Sequence, residues 1–448
     1  MRGIGLYLHH AIQLSQLQGA MPGTLRAEQY RCAIQVIESA GSRPDDKPES
    51  DDVVATGGQS IQIAFSSRRN SLNFLRLVLA LSVVFSHSIT IGHFGSESLL
   101  DETTLGTLAV YGFFAISGYL IAGSATRNGV GRYLWQRFLR IFPAFWICLM
   151  VTASVFGLIA WYHYNPGLSS KCGVHCYVFQ PNGPLGYVAR NALLQINQPK
   201  ISGTLPGGFW ALGWNGSLWT LEFEFLCYLL LAALSVVGLL RRRAIVAFMT
   251  GIVWITQCVI ISVPTLARTF SPFNTWGEIQ LFGIRLETMR VLELVSIFLT
   301  GALLYLYRDV IPDSGGIAVL TVILVLVGFI LPIGLKIPYY YSTGIGFTSV
   351  FLAYPLIWLG IHLPFSKIGA VNDYSYGIYI YAFPVQQMLV IWGVNAWGYW
   401  PYTAVTIVVV MALAVASWWL VEKHALKLKH IGMERRVPAS SSAPAVLE

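Results

Sequence analysis

The sequence predicts an all-α, polytopic membrane protein of about ten transmembrane helices with both termini cytoplasmic. Three observations carry that expectation: the scarcity of charge, the recurrence of long apolar runs, and the side on which the cations fall. Of 448 residues only 11% are charged and 55% are hydrophobic, with a mean hydropathy of +0.60. Soluble domains hold about 25% charged residues. A water-facing surface of this size cannot be built from so few charges, so much of it faces lipid. A cytosolic enzyme, a disordered regulator and a disulfide-built secreted domain are thereby excluded.

Taken in order, residues 1–70 stand apart as a polar N-terminal extension, with mixed runs such as Ser42-Arg43-Pro44-Asp45-Asp46-Lys47-Pro48-Glu49. The start of the chain has no continuous apolar core and no cleavage site, which argues against a signal peptide. The segment reads as disordered, with a short amphipathic helix around 30–37, or as an over-extended translation start. From Asn73 onward, apolar stretches of bilayer-spanning length recur at 74–92, 105–123, 138–162, 217–240, 244–264, 291–307, 317–335, 343–363, 375–395 and 402–421. They lack the alternating pattern of a membrane barrel, so helix is the state that satisfies their backbones in lipid. The seventh and the tenth are the plainest lipid-facing stretches. The membrane domain is placed at 71–429, with a short cytoplasmic tail at 430–448.

The cations set the orientation. With the N-terminus inside, Arg127, Arg132, Arg137, Arg140, Arg241, Arg242, Arg243, Arg308, Lys367, Lys423, Lys427, Lys429, Arg435 and Arg436 fall on the cytoplasmic side. Half as many fall outside: Lys171, Arg190, Lys200, Arg268, Arg285, Arg290 and Lys336. The net charge of +8 therefore reports topology, and no nucleic-acid partner is expected.

The outer segment 163–216 is long and rich in Gly, Pro, Asn and aromatics, the mark of a functional or a disordered loop. It holds Cys172 and Cys176, for which a local disulfide, free thiols and an incomplete metal site all remain open. Cys148, Cys227 and Cys258 read as small core residues.

Ionisable residues within spanning helices are costly and mark function. Arg76 and His87 are eleven residues apart on the first helix, so they share a face and stand roughly 16 Å apart along the axis. A snorkelling cation with a core histidine is the simpler reading; a lumen running inward from the cytoplasm is the other. His93 falls at the outer interface. Arg137 and Arg140 are spaced i,i+3 at the cytoplasmic entrance of the third helix. Such paired guanidinium forks suit the phosphates of a coenzyme, or simply anchor the helix end. Glu222 and Glu224 open the fourth helix and point to nearly opposite sides, so one at most faces a central site. Arg285, Glu287, Arg290 and Glu293 form either a polar cluster or an interfacial salt-bridge patch on the outer side. Ser117 lacks the strand-turn-helix setting of a nucleophile.

Five segments, in order, resemble the acyltransferase-3 family of integral membrane acyltransferases. They are Asn73-Phe74-Leu75-Arg76 with ten residues before His87; Phe113-Phe114-Ala115-Ile116-Ser117-Gly118-Tyr119; Arg137-Phe138-Leu139-Arg140-Ile141-Phe142-Pro143; Asn215-Gly216-Ser217-Leu218-Trp219-Thr220-Leu221 ahead of Glu224; and Tyr374-Ser375-Tyr376-Gly377-Ile378-Tyr379, with Ser417-Trp418-Trp419 and Glu422 closing the last helix. The resemblance spans about Ser71 to Lys429. It implies transfer of an acyl group, acetyl by default, from cytoplasmic acyl-coenzyme A to a hydroxyl of a surface or exported glycan or glycolipid. It implies a bacterial inner-membrane location and a functional pair at Arg76 and His87, with Glu224 as the glutamate of the fourth helix. Relatives often carry a proline at the position of Glu222, and a histidine before the Phe-Pro of the ninth helix, where this chain has Ala382.

On this reading His87 is the base, Glu224 lies near the acceptor, and Arg76, Arg137 and Arg140 hold the coenzyme's phosphates. No metal is expected, and glycan-assembly proteins are expected partners. The rivals are a transporter, which predicts inverted repeats that the sequence lacks, and a non-catalytic family member.

Overall fold

The computed structural model describes residues 59–67, 69–95, 98–100, 103–205, 213–270, 278–281, 284–335 and 347–430. The expected helix at 30–37 and almost all of the tail at 430–448 lie outside the described residues. Each of the ten apolar stretches carries helix: α1 Leu72–Ile91, α2 Leu105–Arg127, α3 Val130–Tyr164, α4 Trp219–Val236, α5 Arg243–Ser262, α6 Thr288–Leu306, α7 Gly315–Leu335, α8 Ser349–His362, α9 Ser375–Ile391 and α10 Tyr399–Lys427. Among the described residues, seven of them, α1 to α6 and α10, are long and apolar enough to cross a membrane. The chain is a multi-pass helical membrane protein.

Local sequence explains the ends. Thr104 caps α2 by accepting the Thr107 N–H at 2.9 Å, and Arg127 complements the carboxyl end of the same helix. The third helix begins at Val130, a full two turns before the expected residue 138, because Gly129 starts it and Arg132, Arg137 and Arg140 are accommodated within it. Arg137 and Arg140 consequently lie inside a helix, not at its entrance. Both α3 and α10 contain a wide turn, at Thr152–Phe156 and Trp418–Glu422, of a kind often found at functional sites.

Packing sorts the helices. Along α9 every residue from Ser375 to Leu389 is buried, so this helix is enclosed by its neighbours, chiefly α1 and α10. In α7 Val319, Leu320, Val322, Ile323, Leu326 and Val327 are exposed, a lipid-facing surface. α5 shows a similar stripe in Phe248, Ile252, Ile255 and Val259. The tightest crossing joins α2 and α6. A Cβ on Gly118 would collide with the Phe298 carbonyl, and one on Gly301 with the Ala115 carbonyl, so each glycine admits the other helix's backbone.

Residues 60–65, ahead of α1, are folded onto this bundle. The Ile61 N–H donates to the Ile311 carbonyl at 3.0 Å, Ile61 is buried, and the Phe65 ring meets Tyr119 edge-on at 5.2 Å. The long segment after α3 is also folded where described. It forms helices Pro166–Val178 and Pro184–Asn191, and Cys172 and Cys176 are disulfide-bonded. It is tied to the bundle: Trp146 Nε1 donates to the Ala192 carbonyl at 2.9 Å, and Asn215 Nδ2 to the Thr152 hydroxyl of α3 at 3.4 Å. Two short antiparallel pairs, Ser98–Leu100 with Thr103–Thr104 and Glu278–Leu281 with Ile284–Glu287, complete the loops at the same side.

The α2–α6 crossing makes a direct prediction. Gly301→Val should destabilise the protein by about 1–3 kcal/mol through overpacking. Thermal unfolding of the purified protein in detergent reads this as a lower Tm, and a Tm equal to that of the parent would refute the close-crossing account.

Candidate active site

An arginine inside an apolar bundle requires a carboxylate, and the loop before α9 supplies one. Arg76 donates to Asp373 Oδ2 at 2.7 Å and Arg140 to the same oxygen at 2.5 Å. The other oxygen of Asp373 accepts the Ser375 N–H at 3.1 Å and the Ser375 hydroxyl at 2.5 Å, which fixes the start of α9. Arg140 also pairs with Glu422 at 3.5 Å, in the wide turn of α10, where Ser417 donates to the other Glu422 oxygen at 3.1 Å. One carboxylate on a loop thus joins α1, α3 and α9, and Arg140 extends the link to α10. Burial alone would raise the Asp373 carboxyl, but Arg76, Arg140 and the Ser375 hydrogen bonds outweigh it and hold the group below its ordinary value.

Backbone contacts bring that loop to the foot of α1. The Asn73 amide donates to the Gly369 carbonyl at 2.9 Å, and the Ser71 hydroxyl to the Leu363 carbonyl at 2.6 Å. Gly369 has φ +73°, and a Cβ there would press on Asn73, so the close approach needs glycine.

Beside this ion cluster lies a small cavity of about 40 Å³. Arg76 and Glu224 both line it, with Ser375, Thr220, Tyr376 and Tyr379 and an apolar wall of Val110, Phe113, Phe114 and Leu221. Glu224 is held by two donors, the Ser117 hydroxyl at 3.3 Å and the Tyr228 hydroxyl. Ser117 is therefore a donor to a carboxylate, with no histidine placed to activate it among its described contacts. Arg137 faces the same group indirectly: its guanidinium lies over the Tyr228 ring, 5.9 Å from the centroid, and its Nε is buried without a hydrogen-bond partner. Three arginines, Arg76, Arg137 and Arg140, thus stand with three acidic residues, Asp373, Glu224 and Glu422, all half-buried except the buried Glu422.

His87 is not among the residues that line the cavity. Its ring meets Phe383 edge-on at 5.5 Å. Phe383 is one helical turn beyond Tyr379 on α9, so His87 stands about one turn past the cavity's far end. Ala382, next to Phe383 on α9, is buried. At that far end Tyr379 hydrogen-bonds both the Thr220 hydroxyl and, at 2.5 Å, the Ser217 carbonyl.

The remaining expectations sort clearly. Glu222 points elsewhere, accepting Gln195 Nε2 at 3.3 Å. Arg290 pairs with Glu287 at 2.5 Å and lies over the Trp219 ring, 4.2 Å from its centroid, so this polar group includes a helix-end salt bridge. Sequence reasoning missed Asp373. Its signal was an acidic residue directly before the Tyr-Ser-Tyr-Gly run, at a helix start where carboxylates are common, and nothing local distinguishes such a cap from an ion-pair hub.

Asp373→Asn should cost about 3 kcal/mol, because it leaves Arg76 without its anion and Arg140 with Glu422 alone. Since the folded-state value lies below the ordinary 3.8, the wild-type contribution is complete above that pH and lost only as pH falls below it. Tm measured against pH in detergent checks both: the variant should be less stable at neutral pH, and the gap should close only under strongly acid conditions.

Comparison with known proteins shows the family. An O-acetyl transferase of Shigella phage Sf6 is 29% identical over 365 residues, covering 80% of this chain and 96% of the phage protein. Nodulation protein 10 of Rhizobium leguminosarum bv. viciae is 25% identical over 380 residues, covering 83% of this chain and 97% of that protein. The acyltransferase MdmB of Streptomyces mycarofaciens is 31% identical over 169 residues, 36% of this chain and 38% of that one. No solved structure matches the chain. The acyltransferase-domain family, acyltransferase-3, matches residues 69–419, and the chain belongs to it as a membrane O-acyltransferase.

Proposed function

We propose that the protein moves a short acyl group, acetyl by default, from acyl-coenzyme A to a hydroxyl of a surface or exported glycan or glycolipid. The observation that carries this reading is the line formed by Arg76, the cavity, and His87 one turn beyond it. The name of the phage relative, O-acetyl transferase, supports the acyl group, and the relatives' bacterial and phage sources support a bacterial inner membrane. The membrane domain is then 71–429, with residues 60–65 of the preceding polar extension packed against it, and both ends face the cytoplasm. Partners are the bilayer, the glycan acceptor and glycan-assembly proteins.

In this scheme the donor enters at the Arg76 end. Arg76 and Arg137 attract its phosphates, while Arg140, bound to two carboxylates, holds the helices that present them. Glu224, facing the cavity, accepts hydrogen bonds from the amides of the donor's arm. The thioester carbon comes to rest at the cavity's far end. One helical turn is about 5.4 Å, room for a single hydroxyl between that carbon and the His87 ring. His87 takes the hydroxyl proton as the oxygen attacks. The C–O ester bond forms, the C–S bond breaks, and the proton ends on the departing thiolate sulfur. The acceptor approaches from the side of segment 163–216, folded where it is described, whose aromatic residues offer stacking surfaces for sugars.

A transporter reading accounts for the buried charges but not for family membership, and a non-catalytic member predicts no loss on removing His87. His87→Ala should lower acylation of the surface glycan by about 10²-fold or more, at an unchanged level in the membrane. Mass spectrometry of glycans from variant and parent strains measures it, and undiminished acylation removes His87 as the base. For topology, cysteines introduced at Asn128 and Gly167 should label from the cytoplasmic and outer sides respectively. Labelling of both from one side contradicts the orientation.

A further inference from the structure

We propose that Gln387 and Ser217 seat the acceptor's sugar ring beside His87 by hydrogen-bonding hydroxyls that neighbour the one acylated. The inference rests on the acyl-transfer reading above and adds which residues read the acceptor.

The helices α1 and α9 run side by side in the same direction. Arg76 meets Asp373 just ahead of α9, and farther along Gln386 Nε2 donates to the Val84 carbonyl and the Ser88 hydroxyl, both at 2.9 Å. His87 lies between those two positions on α1, so Gln386 and His87 stand at one level. The segment ahead of α4 passes along α9 in the opposite direction. Gln387 Nε2 donates to the Gly213 carbonyl at 3.0 Å, and the Tyr379 hydroxyl to the Ser217 carbonyl at 2.5 Å. From Tyr379 to Gln387 is about 12 Å of helix. Phe383, which the His87 ring meets edge-on, is midway between them. Side chains tilt toward the amino end of their helix, so Gln387 leans back toward Phe383. Ser217, by the cavity's far end, and Gln387 thus stand on either side of the residue that His87 touches.

Both side chains are buried, Gln387 at 1% and Ser217 at 3% exposure, yet each carries hydrogen-bonding capacity that the protein leaves unused. Gln387 Oε1 and Ser217 Oγ have no hydrogen-bond partner among the described residues, and neither has Asn215 Oδ1 on the same segment. Buried polar atoms are paired as a rule, so three unpaired ones on this stretch call for a reason. The segment is held too firmly to turn them elsewhere. Gly213 has φ +73°, with the place of a Cβ only 2.1 Å from the Pro199 oxygen. The Trp214 N–H donates to that same carbonyl at 2.9 Å, and Asn215 Nδ2 donates to the Tyr187 hydroxyl at 2.6 Å. A glutamine that merely clips a loop accounts for Nε2, but not for Oε1 or the serine hydroxyl. A carboxamide oxygen accepts from a hydroxyl, and a serine hydroxyl both donates and accepts. A ring bearing several hydroxyls supplies those partners. An acceptor with one hydroxyl on an apolar frame leaves them unpaired and is rejected.

The test uses membranes carrying the full-length protein, acetyl-coenzyme A as donor, and surface glycan extracted from a strain that lacks the gene as acceptor. Acetyl incorporated into the glycan is measured while each substrate is varied in turn, and Tm is measured in detergent. Gln387→Met keeps the length of the side chain and removes its amide. It should raise KM for the glycan by about tenfold or more and leave KM for acetyl-coenzyme A within about twofold of the parent. Ser217→Ala removes a hydroxyl that has no partner in the protein, so a purely structural role predicts an unchanged glycan KM and a Tm no lower than the parent's. The proposal predicts instead a glycan KM raised by about tenfold at that same Tm, and this variant decides if Gln387→Met fails to insert. Parental glycan KM in the variants, or equal rises in both KM values with a lowered Tm, overturn the proposal and leave the acyl-transfer reading standing. Absence of acetyl transfer to the glycan by the parent defeats that reading itself.

Discussion

Two arginines half-buried near the end of an apolar bundle call for counter-charge, and most of the architecture around the site follows from how that is met. A carboxylate that bridges Arg76 and Arg140 must reach both, and neither guanidinium's own helix carries one. Asp373 does so from a loop, at 2.7 and 2.5 Å. Loop 363–374 must therefore lie across the foot of α1, which the contacts of Gly369 and Leu363 with Asn73 and Ser71 achieve. The same carboxylate starts α9, the helix buried along nearly its whole length. Electrostatics at one end thus places the element that runs past the cavity to His87.

The cluster also divides labour among residues of one type. Arg140 is committed to two carboxylates, and its role is to hold α3 against the α9 loop and α10. Arg76 keeps one anion and still faces the cavity. Arg137 has an aromatic ring in place of a carboxylate. A buried pair contributes little net stability but is costly to break, so such a cluster serves geometry more than stability. The two wide turns fit this view: one brings Glu422 to Arg140, and the other offers Thr152 to Asn215 at 3.4 Å.

Glycine performs the complementary task in the apolar part. Where polar groups hold the ends of α1, α3, α9 and α10 together, Gly118 and Gly301 let α2 and α6 meet backbone to backbone. In lipid no hydrophobic force drives helices together, and close contact has to supply the attraction. The cavity is what remains between the helix that glycine fixes, α2, and the helix that Asp373 fixes, α9.

The sequence by itself determined the class of protein, all ten helical segments, and the family, because apolar length and the order of short motifs are local properties. It also marked Arg76, His87, Glu224, Arg137 and Arg140, since charge within an apolar run is conspicuous wherever the run lies in space. It misplaced the start of α3 by eight residues, as arginines look like a helix end until their burial is known. Only the tertiary structure decided that Asp373 joins two of those arginines, that Arg76 and Glu224 share a cavity while Glu222 turns away, and that His87 stands a turn beyond. The reason is distance along the chain: Arg76 and Asp373 are 297 residues apart, and no local pattern encodes a contact made only when a loop folds back over the bundle's end.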